Sequence, residues 1–405
     1  MSAEPSSPEG VSARDWRLGP VAEWLVRKGR LAPTLNELVD ALCEQLVSSG
    51  FSLWRFRIAF RTIHPQLLGM GVLWVRGNST KIINARHGIE QSDDYVGSPI
   101  QHVFDNGTLL RKRLDLLDPN RDHSVLHSVA RAGATDYLAL PLCFSQGSVN
   151  VVIFATDAPA GFRDEDIADL ERFAYYLAPV IEVFASRQLA VSLLETYVGP
   201  RTGQRVLQGK IKRGDGECIY AAMWFSDLRD FTVLTESLSM ADMLKTLNDY
   251  FELVAAAVTA RGGEILRFIG DAMLIVFPAS GKSDVANACN SALESAQDAF
   301  SALAALNHLR RRAGRPEIRF GVGLHVGEVI YGNVGAPNRL DFTVMGPAVN
   351  RTARLESLTK SVDTPLLMSA EFVEHIDRPV RSLGRHEMKG ISDPQEIFVP
   401  EGEIA

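Results

Sequence analysis

The sequence predicts an α+β protein with two domains joined by a long helix. Three observations predict it. In the C-terminal half, two long helical patterns alternate with short apolar runs in the order β-α-β-β-α-β, the ferredoxin-like arrangement. In the N-terminal half, short strand-like runs lie between an early and a late helical pattern. Between the halves, an apolar three-to-four pattern runs from Asp164 to Val198 and ends at the stop signal Gly199-Pro200. At 405 residues the chain is long enough for two or more domains. A hydrophobic content of 46% with 22% charged residues indicates core-forming domains. The net charge of −7, with no long basic run, argues against a nucleic-acid partner. Cys43, Cys143, Cys218 and Cys289 are widely spaced, which predicts free, buried thiols in a reducing compartment. Residues 1–10 are polar and no run of about 18 apolar residues stands out, so neither a membrane span nor export is expected, and the expected location is cytoplasmic.

Residues 1–14, rich in Ser, Pro, Glu and Gly, are expected to be disordered. The first domain spans 15–182. Leu35, Leu38, Leu42 and Leu46 mark a helix over 35–49, and strands follow near 53–61, 71–75 and 81–84. Residues 91–133 carry no clear pattern. Strands 137–144 and 149–156 form a hairpin across Ser145-Gln146-Gly147-Ser148, and Asp164 caps the late helix. His123 and His127, four apart, share a helix face, but no acid or cysteine completes a metal set and two solvated histidines are the simpler reading. Cys143 is expected to be a buried structural thiol rather than an attachment point. Strands between an N-terminal and a C-terminal helix resemble a GAF sensor domain. The resemblance is carried by Tyr137-Leu138-Ala139-Leu140-Pro141-Leu142, by 149–156 and by Gly161-Phe162-Arg163-Asp164-Glu165-Asp166. It implies a small-molecule ligand, whose nature the sequence does not reveal.

Residues 183–216 form the connector. Leu189, Val191, Leu193, Leu194 and Val198 continue the apolar pattern, and Pro179 is expected to kink the helix. A long amphipathic helix between domains suggests a parallel coiled coil in a dimer; the alternative is a helix folded back on its own domain.

The catalytic candidates lie in 217–405. A strand over 217–225 leads into Phe225-Ser226-Asp227-Leu228-Arg229-Asp230-Phe231-Thr232. An acid at a strand end suits a hard cation, and the free amides of the following helix start suit phosphate. Gly270-Asp271 forms a two-residue hairpin between strands 264–269 and 272–277, which leaves Asp271 at the tip. Alone it would be an ordinary turn acid. With Asp227 it can share two divalent ions about 3.5–4 Å apart. One helix starts near Ser239 and ends at Gly262-Gly263; the next runs from near Asp284 to Gly314, followed by a strand over 317–326. Pro347 opens a further helix that sets Asn350 and Arg354 one turn apart on one face, where they fit phosphoryl chemistry or simply face water. Lys389, beside Gly390, is a further phosphate candidate or a surface lysine.

Together 225–232, 264–277, 321–328, 341–356 and 388–390 resemble the class III nucleotidyl cyclase catalytic domain. The resemblance implies an adenylate cyclase that converts ATP to 3′,5′-cyclic AMP and pyrophosphate at a homodimer interface, with contacts through the catalytic domain and the connector. It implies two Mg²⁺ or Mn²⁺ ions per site, on a metal set of Asp227, Leu228 and Asp271. One ion would lower the pKa of the ribose 3′-hydroxyl and the other would hold the triphosphate. Asn350 would orient the ribose, Arg354 would stabilise the transition state, and Lys389 would hold the terminal phosphates. Backbone amides at Phe231 and Thr232 would also contact phosphate. Arg267 and Thr343 take the two base-reading positions. Arg267 can donate to adenine N1 and the Thr343 hydroxyl can accept from N6, whereas Arg267 cannot accept from guanine, which favours ATP. Arg267 stands where the family has Lys and Asp230 where it has Gly, and the longer, planar guanidinium predicts atypical base placement. A guanylate cyclase and an inactive cyclase-like scaffold are the alternatives. The Gly-Gly-acid-acid-Phe hairpin of a diguanylate cyclase is absent from 269–272.

Overall fold

The computed structural model describes residues 18–214 and 216–402, and the chain divides into two compact units between Leu193 and Leu194. The expected disordered segment 1–14 lies outside the described residues.

The first unit contains α1 (Leu18–Arg27), α2 (Leu35–Ser48), β1 (Arg55–Arg61), β2 (Leu67–Val75), β3 (Lys81–Arg86), α3 (Pro99–Asn106), β4 (Leu110–Arg113), α4 (Ser124–Arg131), β5 (Asp136–Cys143), β6 (Val149–Thr156) and α5 (Asp164–Val198). The strands form one antiparallel sheet in the order β3-β2-β1-β6-β5-β4. Side chains alternate across it, so each strand feeds two cores. Phe56, Ile58, Leu138, Leu140 and Phe154 pack with apolar residues of α1, α2 and α5. On the other face Ala59, Ala139, Val151 and Ile153 pack with Val103 of α3 and with Leu126 and Val129 of α4. The stretch with no clear pattern thus holds two eight-residue helices and a short strand. Two turns give too little periodicity to read, although Ser98 caps α3 and Gly107 ends it at φ 65°.

Three expectations need correction. Cys143 and Cys218 are exposed, and only Cys43 and Cys289 are buried; all four are free. Cys143 is the last residue of β5, where the strand runs out from under the core. His123 and His127 are not simply solvated: the His123 ring caps α4 by accepting from the Val125 amide, and His127 Nε2 is buried without a partner. Finally, α5 is long and apolar enough to cross a membrane by length and composition alone, the one such helix among the described residues. Its Phe173, Leu177, Ile181 and Phe184 belong to the core of the first unit.

The second unit begins with the end of α5 and continues with α6 (Pro200–Leu207), β7 (Gly216–Leu228), α7 (Phe231–Ser237), α8 (Met240–Ala260), β8 (Glu264–Ile269), β9 (Ala272–Ala279), α9 (Val285–Arg312), β10 (Phe320–Ala336), β11 (Arg339–Met345), α10 (Pro347–Ser361), β12 (Leu366–Ser369), α11 (Ala370–Val373), β13 (Val380–His386) and β14 (Gln395–Pro400). The expected β-α-β-β-α-β core is β7, α8, β8, β9, α9 and β10. Its strands lie in the order β10-β7-β9-β8, extended on the β10 side by β12, β14 and β13, while β11 pairs with the far half of β10. Alternate residues of β7 again serve two faces. Ala222 and Trp224 pack with α8 and α9, and Ala221 and Met223 pack with Val344 and Ala348. β10 runs well past the expected end at 326, because residues 327–332 still pair with β7 and 330–336 pair with β11. Glycines at 327, 332 and 335 had interrupted the apolar pattern there.

Two glycines of β10 set the height of α10 above the sheet. A Cβ on Gly323 would lie 2.5 Å from the Glu356 amide and 2.6 Å from the Thr352 carbonyl oxygen, and one on Gly321 would lie 2.4 Å from Thr359 Oγ1. The backbone of α10 cannot retreat without unpacking Leu355, which is fully buried. Gly323→Ala is therefore expected to destabilise the second unit by about 1–3 kcal/mol through overpacking. Gly281→Ala, at a position with open space around it, is the control and should be near neutral. Equal denaturation midpoints for the two variants would show that α10 does not lie this close.

Candidate active site

β7 delivers Asp227 to its C-terminal end, opposite Gly321 of β10. The two-residue turn Gly270-Asp271, with Gly270 at φ 65°, joins β8 to β9 and brings Asp271 beside it. The two carboxyl groups are close enough for the charge of one to act on the other. Burial, and then the Asp227 charge, push the Asp271 carboxyl up to about 6. Like charges this close disfavour ionisation of both, and the group that gives way is the one whose charged form is less well solvated.

α10 closes the site from one side. Lys360 Nζ is 2.9 Å from Asp227 Oδ2. Burial works against the Lys360 ammonium, but the hydrogen bond and charge of Asp227 outweigh it and hold the group above its usual value. One turn earlier, Glu356 is 2% exposed and its Oε1 has no hydrogen-bond partner. Burial first, and the Asp227 charge second, push its carboxyl up to about 7. Tyr250 of α8, fully buried, donates to Ser226 Oγ at 2.9 Å beneath the strand end. Arg229 Nη2 donates to the carbonyls of Thr359 and Thr364 and ties the end of β7 to the C-terminus of α10.

The remaining sequence candidates are placed as follows. Leu228 is buried, so only its backbone carbonyl is available to a cation. Phe231 and Thr232 open α7, whose N-cap is Asp230. Asp230 sits at φ 57°, in the left-handed region that glycine adopts without strain, and Arg319 pairs with its carboxylate at 2.5 Å. Asn350 and Arg354 are exposed on α10, and Lys389 is exposed in the turn between β13 and β14. Thr343 is buried on β11. Arg267 of β8 forms an ion pair with Asp341, two residues before Thr343 and on the same side of β11.

Asp341, Glu356 and Lys360 escaped the sequence reading. Glu356 and Lys360 have the spacing and order of an ordinary solvent-facing helix pair, so nothing local distinguishes them from one.

A divalent cation suits the Asp227–Asp271 pair. Both donors are hard carboxylate oxygens, and the site now balances its excess negative charge with a single ammonium. Among the described residues no cluster of three or more His, Cys, Asp or Glu side chains is arranged to hold a metal. One or two carboxylates is the usual complement for Mg²⁺, which keeps waters and substrate phosphates as its other ligands.

Residues 217–399 match the family described as the adenylate and guanylate cyclase catalytic domain. The C-terminal half of this chain is a class III cyclase catalytic domain. The chain is 34% identical over 184 residues to adenylate cyclase 1 of Rhizobium meliloti (strain 1021), which covers 44% of this chain and 27% of that protein. It is 33% identical over 155 residues to the adenylate cyclase of Anabaena cylindrica, covering 38% and 30%. Less than a third of each of those two relatives is therefore spanned. Among solved structures, the guanylyl cyclase Cya2 matches with 31% identity, 45% of this chain, 92% of that chain and a TM-score of 0.40.

A carboxyl group with a raised folded-state pKa contributes stability at low pH. For Glu356 that contribution is fully present below its ordinary value of 4.5 and is lost as pH rises through about 7. Glu356→Gln is neutral at every pH. In metal-free buffer it should be more stable than wild type at pH 8 by about 1–2 kcal/mol, after discounting the shift for partial screening. The advantage should vanish near pH 4.5. Denaturant melts across this range measure it, and a gap that does not change with pH would refute the assignment.

Proposed function

We propose that the chain is an adenylate cyclase that forms 3′,5′-cyclic AMP and pyrophosphate from ATP, in sites shared between two copies of the chain. One observation carries the reading. On α10, Glu356 and Lys360 face the acids of their own chain. Arg354 precedes Glu356 by two residues, about 160° away round the helix, so Arg354 faces away from those acids, and Asn350, one turn before it, lies on the exposed flank between. In a two-fold dimer, side chains that face away from one copy's acids are free to serve the other's.

Asp227 and Asp271 hold the Mg²⁺ or Mn²⁺ ions, with the Leu228 carbonyl beside them. When bound, the ions activate the ribose 3′-hydroxyl and help to hold the triphosphate. Asn350 orients the ribose. Arg354 meets charge that develops at the α-phosphorus as the 3′-oxygen attacks in line, so its loss should lower kcat more than it raises KM. Lys389 and the amides at Phe231 and Thr232 hold phosphate oxygens. The Arg267 guanidinium, steadied by Asp341, donates to adenine N1, and the Thr343 hydroxyl accepts from N6. The exposed Asp341 carboxylate favours a second reading, a guanylate cyclase, because it can accept from the guanine N1–H and N2 amine. The protein works in the cytoplasm. Its first unit regulates the catalytic pair through α5, on which Tyr176, Val183, Ala190 and Tyr197 form an exposed seam with heptad spacing.

Two measurements test this. Purified protein with Mn²⁺ should make cyclic AMP from ATP faster than cyclic GMP from GTP; the reverse order selects the guanylate reading, and no product from either selects an inactive scaffold. Asp271→Ala and Arg354→Ala should each lose on the order of 10³-fold in rate. Mixed together, they should regain up to about half the wild-type rate per mixed dimer, since one of the two sites is then intact. Mixed dimers without recovery would exclude shared sites.

A further inference from the structure

In the first unit, the sheet face that packs against α3 and α4 also borders a cavity of about 350 Å³. Its walls are largely apolar and include Met70, Ile83, Ile100, Phe104 and Ile153. Into these walls β1 projects three guanidinium groups, of which Arg61 lies over the Phe104 ring and pairs with Asp105 at 3.8 Å. Arg55 and Arg57 are alternate residues of one strand and so point to one face. The other arginines of this unit that line or support structure have acids: Arg76 pairs with Asp157, Arg111 with Asp136 and Arg113 with Asp115. Among the described residues Arg55 and Arg57 have none. Arg57 Nε is sealed from solvent without a hydrogen-bond partner. Burial lowers the pKa of both guanidinium groups, and on Arg57 the Arg55 charge adds to the effect. The Tyr137 hydroxyl shares the cavity with them, and burial pushes it up to about 12 against the pull of the two arginines. Asp94 is the one carboxylate that lines the cavity, and it is exposed.

A fold does not bring two cations together in an apolar wall for its own stability. An unpaired buried charge is costly, and an apolar side chain of similar volume would serve the core better. The arrangement is intelligible if the missing anion arrives from outside.

We propose that this cavity binds a small organic anion, with its carboxylate or phosphate head on Arg55 and Arg57 and its apolar body against the Met70 and Phe104 side. The volume lies within the range of small-ligand sites. The guanidinium fork matches the two oxygens of either head group, and a dry wall strengthens the bond. Tyr137 supplies a third donor from β5. The site stands on the first unit alone and does not depend on what the second unit catalyses.

The test uses the full chain and four probes that share one ring: benzoate, phenyl phosphate, benzyl alcohol and benzylammonium. Calorimetry and thermal melting should show binding and a raised melting temperature for benzoate or phenyl phosphate, and neither effect for the alcohol or the ammonium. Preference between the two anions identifies the head group. Arg57→Met should weaken anion binding by about tenfold or more, the worth of one charge-assisted hydrogen bond. Without ligand it should melt at or above the wild-type temperature, because it removes a half-buried charge that has no acid partner and whose Nε is sealed from solvent. A structural arginine would behave oppositely, so a lowered melting temperature or failure to fold, seen for Arg57→Met and again for Arg55→Gln, overturns the proposal. So does the absence of binding by either anion at millimolar concentration, or equal binding of benzoate and benzyl alcohol.

Discussion

The second unit is organised around a concentration of negative charge that it cannot neutralise by itself. Asp227, Asp271 and Glu356 converge where β7, the β8–β9 turn and α10 meet, and a single ammonium, from Lys360, pairs with them. Burial raises the protonation tendency of Asp271 and Glu356, which is how a protein holds like charges together when nothing else does. Arg229 eases the charge only at a distance, favouring ionised Glu356, because its hydrogen bonds go to carbonyls at the end of α10. The same bonds fix the helix that carries Lys360. Electrostatics and packing are thus joined: Gly321 and Gly323 let α10 come down, and its descent buries Glu356 and puts Lys360 on Asp227.

Much of this architecture was legible in the sequence. The two-residue turn at Gly270-Asp271, the cap at Ser239, the opening of α10 at Pro347 and both ends of α5 all carry local signals, and the structure follows them. The losses have physical reasons. Two-turn helices such as α3 and α4 lack enough periodicity to show a face. β10 runs on through glycines because its partners β7 and β11 hold it in register, and that register is non-local. In the site, Asp227 and Asp271 stood out only as a pair on neighbouring strand ends, since each alone would be an ordinary turn acid. Glu356 and Lys360 did not, since an acid and a base four apart on a helix are common. Their role comes from the close approach to Asp227, which only the fold creates. Asp341 was hidden for a similar reason, as its link to Arg267 joins β11 to β8 across 74 positions of sequence.

The first unit shows the complementary situation. Its sheet is covered on one face by α1, α2 and α5, and its residues there are apolar. The other face is partly filled by α3 and α4 and partly open, with Arg55 and Arg57 on the open part. The acid Asp136, fully buried nearby, is by contrast saturated. It accepts from Arg111, from the Phe162 amide and from the Tyr137 amide. The unit satisfies one buried charge completely and leaves two others waiting, and the difference marks which of them are structural.

α10 has two working faces, one turned inward and one outward. If sites are shared as proposed, a single rigid helix contributes to both centres of the dimer at once: to its own acids through Lys360 and to the partner's nucleotide through Arg354. A tilt that lifts Lys360 from Asp227 would then press or withdraw the guanidinium across the two-fold axis. The two centres would not be free to reach their reactive geometry independently. Nucleotide bound at one would set the readiness of the other, so turnover would alternate between sites or proceed in step, according to the sign of that tilt.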